Sequence, residues 1–292
     1  MNTMTPATAL STHNIKVLSL PIEITTNHKP FLKEFCRLTS AWASPANGET
    51  PAVRFRVVQK RRLTHIEKDG VTVYRLAKDY QLCPMLMDRM RMICYEQVRD
   101  YVIFHSGAVV KEGKAILLPA QSGSGKTTLT LGLMNYGYRY FTDEEAAIHH
   151  KTLEVVPNQR PLYVWTWSRP LRKEVREGFK IFRYRDSDDT DTKRWQYLVP
   201  RDGAVMPGDK GYEVKWIIFP RYTPKGRTVL KPLSSAQAAF SLMQNCFNQK
   251  LFPDGGLKVC IALALRARCY TLEMGNLDRA CELIEDLQGQ GF

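Results

Sequence analysis

The amino-acid sequence predicts an α/β domain preceded by a small α+β segment, with the boundary between residues 82 and 83. Three observations support this prediction. A glycine-rich loop joins an apolar strand to an amphipathic helix, a second strand soon afterwards ends in three carboxylates, and residues 52–58 alternate between apolar and polar side chains. Alternation at period two is typical of strands, and strand–loop–helix units are typical of α/β domains.

The composition excludes several classes of protein. The chain has 292 residues, of which 44% are hydrophobic and 24% charged, so neither a disordered nor a collagen-like chain is expected. The longest apolar run, Val259–Leu265, is too short to span a bilayer, and the first residues lack the basic and apolar regions of a secretory signal. The 7 cysteines contain no C-x-x-C pair, which indicates reduced thiols and a cytoplasmic location.

The net charge of +13 narrows the choice of partner only in part. Lys and Arg number 42 against 29 Asp and Glu. Such a surplus favours a polyanionic partner, which could be nucleic acid, a nucleotide, an anionic membrane or an acidic polypeptide. A solvated basic surface without a specific partner is the alternative, and charge alone does not decide among these.

The first 82 residues predict a small β-rich element. Residues 1 to about 50 are rich in Thr, Ser, Asn and Pro, and the first fifteen are expected to be poorly ordered. Residues 32–43 have the pattern of a short amphipathic helix. Residues 52–58 and 71–76 are predicted strands, and Asp69–Gly70 marks a turn between them.

The predicted main domain begins with a helix and a hairpin. Pro84 opens a helical stretch in which apolar residues recur at spacings of three and four as far as Tyr101. Residues 102–110 form the next predicted strand. Residues 111–114 are a tight turn, and residues 115–119 return as a strand that leads into the glycine-rich loop.

The loop from Ala120 to Thr127 follows the phosphate-binding pattern G-x-x-x-x-G-K-[ST], with Ala120 in place of the first glycine. Glycine lets backbone amides curl around phosphate oxygens, a lysine neutralises the β- and γ-phosphates, and a threonine hydroxyl suits Mg²⁺. A helix predicted over 128–136 directs its N-terminus at the anion. The sequence therefore predicts ATP and Mg²⁺ as cofactors. The predicted nucleotide-binding residues are Gln121, Ser122, Gly123, Ser124, Gly125, Lys126, Thr127 and Thr128.

Two further features lie close to this loop in sequence. A strand over residues 138–142 returns along the helix and brings the carboxylates of Asp143–Glu145 back beside the loop. A carboxylate there could accept a hydroxyl proton or hold Mg²⁺, and a solvated acidic turn is the alternative. His105 lies on the strand before the hairpin, where a histidine is either structural or catalytic.

Three segments together resemble the catalytic domain of HPr kinase/phosphorylase and its divergent relatives, the HPr-kinase-related kinases, and three later segments look like the divergent branch. Some of those relatives phosphorylate a serine of a lasso-peptide precursor. The resemblance covers roughly residues 83 to 290. The segments occur in the family's order, and they are His105–Val110, Gln121–Thr128, Tyr140–Glu145, Ile217–Tyr222, Pro232–Ala236 and Tyr270–Asp278.

The resemblance implies a P-loop kinase core of the HPr kinase and phosphoenolpyruvate carboxykinase type. It implies catalytic roles for His105, Lys126 and Asp143, with Asp143 as the proton acceptor. Thr127 matches the metal ligand, and Glu144 stands where the family has a second aspartate, so these two are the expected metal ligands. The family's further metal-binding glutamate has no counterpart, because residues 165–170 contain no carboxylate. Glu144 or Glu145 would substitute for it.

The sequence thus predicts an ATP-dependent phosphotransferase acting on a hydroxyl, which a serine of a protein or peptide or a small molecule would supply. The basic stretch over 169–185 is either a solvated helix face or a docking surface for an acidic acceptor, and residues 186–191 would form an acidic lid. No membrane or nucleic-acid partner is expected, and a homo-oligomer would be compatible with the family. The alternative function is a nucleotide-switched regulatory or nucleic-acid-binding NTPase.

Overall fold

The computed structural model describes residues 10–60, 62–165, 176–185, 194–201 and 210–289. The chain is mixed α/β with several sheets, and it divides into two compact units between Val98 and Arg99. This division falls later than the boundary predicted between residues 82 and 83. The reason is that the helix after residue 82 packs on the first helix of the N-terminal unit.

The first unit consists of one mixed sheet and two helices. Its sheet has the strand order β3-β1-β2-β4-β5-β6. Its strands are β1 (Ser11–Val17), β2 (Leu20–Thr26), β3 (Ser44–Pro45), β4 (Val53–Lys60), β5 (Leu63–Lys68) and β6 (Val71–Leu76). Its helices are α1 (Lys29–Thr39) and α2 (Leu82–Gln97).

Side-chain alternation explains the centre of this sheet. Val53, Phe55 and Val57 of β4 are buried and the arginines between them are exposed, as the sequence pattern predicts. Helix α1 begins after His28, whose Nδ1 accepts a hydrogen bond of 3.1 Å from the Phe31 backbone N–H. The helix and the strands predicted in this unit are confirmed, with end points that differ by a few residues.

Two predictions for the first unit are wrong in detail. Residues 11–15 belong to β1, which pairs with β2 along its whole length, although they were expected to be poorly ordered. Their polar Thr, His and Asn side chains show no pattern typical of a strand, and the strand is defined by its pairing with β2. Residues 1–9 lie outside the described residues. Helix α2 ends at Gln97 rather than at Tyr101, because Val98 is already extended.

The second unit contains the remaining strands and helices. Its strands are β7 (Tyr101–Lys111), β8 (Lys114–Pro119), β9 (Arg139–Thr142), β10 (Glu145–His149), β11 (Glu154–Val156), β12 (Leu162–Trp165), β13 (Phe179–Arg185), β14 (Arg194–Pro200), β15 (Tyr212–Tyr222), β16 (Val229–Pro232) and β17 (Arg268–Met274). Its helices are α3 (Lys126–Met134), α4 (Ser235–Gln244), α5 (Leu257–Arg266) and α6 (Leu277–Gly289). Among the described residues, no helix is long and apolar enough to cross a membrane.

The main sheet of this unit has the order β11-β10-β7-β8-β15-β17-β16, and β9 pairs with β7. Strand β15 runs parallel to both β8 and β17, so the carboxyl ends of these three strands meet at one edge. Strand β7 lies on the other side of β8 and runs antiparallel to it. The sheet therefore places β7 and β15 on opposite flanks of the strand that leads into the glycine-rich loop.

Helices cover both faces of the main sheet. On one face, Leu242 of α4 and Leu263 of α5 pack with Ile217 of the sheet. On the other face, Leu129 of α3 and Ile284 of α6 pack with other apolar residues of the sheet. Helix α6 begins after Asn276, whose side chain accepts a hydrogen bond of 2.9 Å from the Arg279 backbone N–H and so caps the helix.

A small sheet of β12, β14 and β13 packs beside α3. Leu162, Phe179 and Leu198 of this sheet form a core with Leu131 of α3 and Tyr140 of β9. This sheet adjoins the segments 166–175, 186–193 and 202–209, which lie outside the described residues. The predicted acidic lid over 186–191 and residues 169–175 of the predicted basic stretch fall in those segments.

Candidate functional site

The glycine-rich loop joins the end of β8 to the start of α3. Gly123 and Gly125 have φ angles of 82° and 89°, in the left-handed region that glycine adopts without strain. A Cβ on Gly125 would lie 2.5 Å from the Met274 methyl carbon, whereas a Cβ on Gly123 would meet open space. Position 125 therefore favours glycine because of its backbone angle, and a methyl group there would also require the end of the Met274 side chain to shift. Ala120, at the motif's first glycine position, is buried and its methyl group is accommodated.

Lys126 is the first residue of α3 and is only 5% exposed. Its Nζ lies 3.0 Å from Nε2 of His105 on β7. Burial lowers the pKa of the Lys126 ammonium, and the carboxylates of Glu144 and Asp143 oppose that shift. The Lys126 ammonium is thus largely shielded from water. It lies at the helix N-terminus, where the helix dipole and the free backbone amides favour an anion.

His105 is fixed from several sides. Its ring lies against Phe247 with 5.1 Å between ring centroids, and its backbone N–H donates to the Asn245 carbonyl over 2.6 Å. Its Nε2 also lies 3.0 Å from Oε1 of Glu144. Because one ring nitrogen carries either a proton or a lone pair, His105 either donates to Glu144 or accepts from Lys126. The histidine therefore links the cation of the loop to an acidic side chain.

Asp143 lies at the end of β9, and only 8% of it is exposed. Its Oδ2 accepts a hydrogen bond of 2.8 Å from the Thr127 hydroxyl, and its Oδ1 accepts one of 3.0 Å from the Tyr140 hydroxyl. Burial raises the pKa of the Asp143 carboxyl, although the bond from Thr127 and the charge of Arg160 act against the rise. A buried carboxylate with a raised pKa is a stronger base than one in water.

The other two carboxylates of the acidic turn have different surroundings. Burial acts to raise the pKa of Glu144, but the hydrogen bond from His105 and the charge of Lys126 outweigh it, and the pKa is lowered. Glu145 begins β10, is buried, and lies 3.6 Å from the Arg160 guanidinium. Glu145 thus belongs to the support of the turn, whereas Glu144 faces the lysine.

Strand pairing brings these side chains together. Glu145 of β10 lies opposite His105 of β7 in the antiparallel register, and β8 lies on the other side of β7. The Thr142 hydroxyl accepts hydrogen bonds from the backbone N–H groups of Glu144 and Glu145, at 3.3 Å and 3.1 Å. This local turn aims Glu144 at His105.

The geometry bears on the expected metal ligands, Thr127 and Glu144. The Thr127 hydroxyl is bonded to Asp143, and Glu144 is bonded to His105. In the part of the chain that the structure describes, no three His, Cys, Asp or Glu side chains are grouped as a self-contained metal site. Hydroxyl and carboxylate oxygens beside a phosphate loop nevertheless suit Mg²⁺, which takes few protein ligands when phosphates supply the others. The donor set of Thr127 with Asp143 or Glu144 fits such an ion.

The other predicted nucleotide-binding residues differ in exposure and in hydrogen bonding. Gln121 donates to the Asn245 side chain over 3.1 Å, whereas Ser122 and Thr128 are exposed. The buried Ser124 hydroxyl has no hydrogen-bond partner among the described residues. The Ser124 carbonyl accepts a hydrogen bond of 3.0 Å from the Tyr222 backbone N–H.

Sequence reasoning did not identify four side chains that contact the site, namely Tyr140, Arg160, Asn245 and Phe247. Tyr140 has the appearance of an ordinary core aromatic in a strand, and the others lie far from the loop in sequence. The only available signal was the position of Tyr140, three residues before an aspartate at a strand end.

Part of the predicted basic stretch lines a cavity. A cavity of about 700 Å³ is lined by Arg176, Glu177, Phe179, Ile181, Arg183 and Arg201. Arg169, Arg172 and Lys173 lie outside the described residues. Arg221 is exposed at the end of β15.

Comparison with known proteins gives a distant structural likeness. No family model matches the chain, and no curated protein matches it. Among solved structures, the Hpr(Ser) kinase/phosphatase from Coxiella burnetii aligns with 11% sequence identity and a TM-score of 0.32, over 65% of this chain and 99% of that chain. At this level the two chains share a distant structural relationship and nothing finer.

Proposed function

We propose that the protein is an ATP-dependent phosphotransferase with a P-loop kinase core, and that it transfers the γ-phosphate to a hydroxyl group. One arrangement carries the proposal. The start of α3 holds Lys126 3.0 Å from His105 and Thr127 2.8 Å from a buried carboxylate, Asp143. A cation, a hydroxyl and a base therefore surround the N-terminus of a helix that follows a glycine-rich loop.

The loop and helix account for phosphate binding. The first backbone amides of α3 have no partner within the helix, and the helix dipole favours an anion at this end. Lys126 adds a full positive charge to these amides. Because Lys126 is buried, its charge acts on a phosphate through a medium of lower dielectric than water and is correspondingly stronger.

Asp143 supplies the base. The acceptor oxygen forms a bond to the γ-phosphorus while the bond from that phosphorus to the β–γ bridging oxygen breaks. ADP leaves with the electron pair, and the hydroxyl proton passes to Asp143. The Tyr140 hydroxyl holds one carboxylate oxygen, so the other remains oriented towards Thr127 and the phosphates.

His105 and Glu144 orient the lysine. The carboxylates of Glu144 and Asp143 favour the charged form of the Lys126 ammonium and partly offset the burial that lowers its pKa. When bound, Mg²⁺ would neutralise charge on the β- and γ-phosphates, and Thr127 with Asp143 or Glu144 would hold it. The acceptor that we propose is a serine of a protein or peptide in the cytoplasm.

The test is transfer of labelled phosphate. The purified full chain would be incubated with γ-³²P-labelled ATP, MgCl₂ and a degenerate library of serine-containing acidic peptides, beside an Asp143→Asn variant. We expect acid-stable phosphoserine on the peptides with the wild type only. Calorimetry that detects no binding of Mg·ATP would overturn the proposal. So would release of inorganic phosphate that single-stranded DNA or RNA stimulates without any transfer, which is the behaviour of a nucleic-acid-dependent NTPase.

A further inference from the structure

The flank of the glycine-rich loop opposite the acidic turn contains an exposed aromatic side chain. His105 belongs to β7 on one side of β8, and the turn that carries Asp143 and Glu144 joins β9 to β10, which both pair with β7. Tyr222 ends β15 on the other side of β8. Since β8 and β15 are parallel, the loop and Tyr222 emerge at the same edge of the sheet.

Tyr222 is in direct contact with the loop. Its backbone N–H donates to the Ser124 carbonyl over 3.0 Å. Its Cβ lies 3.5 Å from the position that a Cβ on Gly125 would occupy. The side chain therefore starts within a few ångströms of the residue that precedes Lys126.

The Tyr222 side chain is nonetheless solvent-accessible. The residue is 52% exposed, although the strand behind it is largely buried. Arg221, Lys225 and Arg227 lie within five residues of Tyr222 in the chain and are exposed, and the ion pairs within the described ranges do not include them. An exposed aromatic ring on a segment that carries exposed cations suits a nucleotide, whose base stacks and whose phosphates attract the cations.

We propose that Tyr222 stacks on the base of the nucleotide whose phosphates lie on the glycine-rich loop. This inference rests on the proposed function. A nucleoside triphosphate is elongated, and its reacting end must lie at Lys126 and Asp143 on the β7 flank. The nucleoside end must then leave the loop elsewhere, and the β15 flank offers an exposed aromatic ring for it. The ring makes this flank a nucleoside subsite.

The fold does not need the Tyr222 ring. The turn after β15 is held by backbone hydrogen bonds, from Thr223 to the Met274 carbonyl over 3.1 Å and from Gly226 to the Thr223 carbonyl over 2.9 Å. The Thr228 hydroxyl anchors the far side by accepting from the backbone N–H groups of Gly275 and Asn276. Truncation of Tyr222 should therefore leave the loop in place.

The experiment compares a ligand with a base and a ligand without one. Dissociation constants of ATP and of inorganic tripolyphosphate, both with MgCl₂, would be measured by calorimetry for the wild type, Tyr222→Ala and Tyr222→Phe. Phe240→Ala is the matched control, because Phe240 is also an exposed aromatic residue, at 64%, but lies on α4. We expect Tyr222→Ala to weaken ATP binding about 5- to 100-fold, the range for one stacked base. Tripolyphosphate binding should not change, and Tyr222→Phe should retain ATP affinity.

The outcomes separate this inference from the proposed function. Unchanged ATP affinity in Tyr222→Ala would overturn the stacking role and leave the phosphotransferase proposal intact. An equal loss of ATP and tripolyphosphate binding would mean that Tyr222 shapes the loop, and would also overturn the inference. Failure of the wild type to bind either ligand would overturn the proposed function itself.

Discussion

The Lys126 ammonium lies 3.0 Å from Nε2 of His105, and Oε1 of Glu144 lies 3.0 Å from the same nitrogen. The same ring nitrogen therefore has a cationic side chain and a carboxylate within hydrogen-bond distance. The pair therefore behaves as one unit with Glu144. Within that unit, the lysine is the member that can reach a phosphate from the end of the loop.

Replacing Lys126 with alanine should remove that cation and keep the fold. His105 and Glu144 remain partners for each other, so no charge is left buried alone. We expect ATP binding to weaken about 10- to 100-fold, as for a lost charge-assisted hydrogen bond. Phosphate transfer should fall by a further ~10²–10³, the usual loss for one electrostatic group. Calorimetry and the labelled-phosphate assay measure the two effects.

The matched control for this lysine is Lys231→Ala. The Lys231 side chain is 60% exposed and forms a surface pair with Glu273 at 3.4 Å. Its loss should change neither ATP binding nor transfer, because exposed pairs contribute little. An unchanged transfer rate in Lys126→Ala would rule out the assignment of the loop as a phosphate site.

Asp143→Asn tests the base. Asparagine keeps the shape of the side chain, and its oxygen still accepts from Tyr140, but it cannot take a proton. We expect kcat to fall by roughly 10²–10⁴ while the KM for ATP stays near the wild-type value. Steady-state kinetics would check this. If ATP affinity in the presence of Mg²⁺ collapses instead, Asp143 is a metal ligand and another group is the base.

The same substitution should have a pH-dependent effect on stability. Burial raises the pKa of Asp143 above 3.8, so the folded protein binds this proton more tightly than the unfolded chain does. The free energy of unfolding therefore falls as the pH rises through the raised pKa, and it remains lowered at neutral pH. In metal-free buffer, Asp143→Asn should raise the melting temperature by about 2–4 °C at pH 7. The gain should shrink towards zero as the pH falls to 4.

Asp254→Asn is a control that should change the melting temperature at pH 7 in the opposite direction. The Asp254 carboxylate accepts backbone hydrogen bonds from Lys258 and Gly256 at the start of α5, and these bonds lower its pKa. Its stabilising effect is present above pH 3.8 and disappears as pH falls. Asp254→Asn should thus lower the melting temperature at pH 7 and have little effect in acid. The same sign for both variants would contradict this account.

Local patterns in the sequence predicted the elements around the loop and the proximity of Asp143 to it. That success has a physical reason, because a helix and the strand that follows it must return along the same path. The pairing of Tyr140 with Asp143 was not predictable, since a tyrosine in an apolar strand usually fills a core. In the folded protein the buried Tyr140 hydroxyl meets its need for a hydrogen-bond partner by donating to the Asp143 carboxylate over 3.0 Å.

Non-local strand pairing explains the rest of what sequence reasoning missed. Strand β15 inserts between β8 and β17, partners that are remote in the chain, and no local pattern encodes that neighbourhood. The placement of Tyr222 beside Ser124 follows from this pairing alone. The contact between Glu144 and His105 likewise depends on the pairing of β10 with β7, which no local sequence pattern encodes.

The two loop glycines should differ in their tolerance of alanine. Both have left-handed backbone angles, so either substitution costs about 1–2 kcal/mol in strain. Only at Gly125 would the new methyl group collide with the buried Met274 side chain. Gly125→Ala should therefore destabilise the ligand-free protein by up to a further ~1 kcal/mol, because the end of the flexible Met274 side chain must shift. Chemical denaturation measures both variants, and Gly125→Ala combined with Met274→Ala should relieve the collision. Equal losses for Gly123→Ala and Gly125→Ala would refute this packing argument.

The basic cavity gives a prediction about the acceptor. Arg176 and Arg183 line it and are exposed, so their charges would act on encounter and on binding of an acidic acceptor, and not on the chemical step. Reversing both to glutamate should raise the KM for an acidic serine peptide about 2- to 10-fold, the scale expected of two exposed charge pairs. The kcat and the KM for ATP should stay unchanged, and added salt should reduce the effect because exposed charges are screened. The control reverses Arg268 and Arg279, which are exposed elsewhere in the same unit. A fall in kcat at constant acceptor KM would instead place Arg176 and Arg183 in the catalytic machinery or the fold, and the docking role would be abandoned.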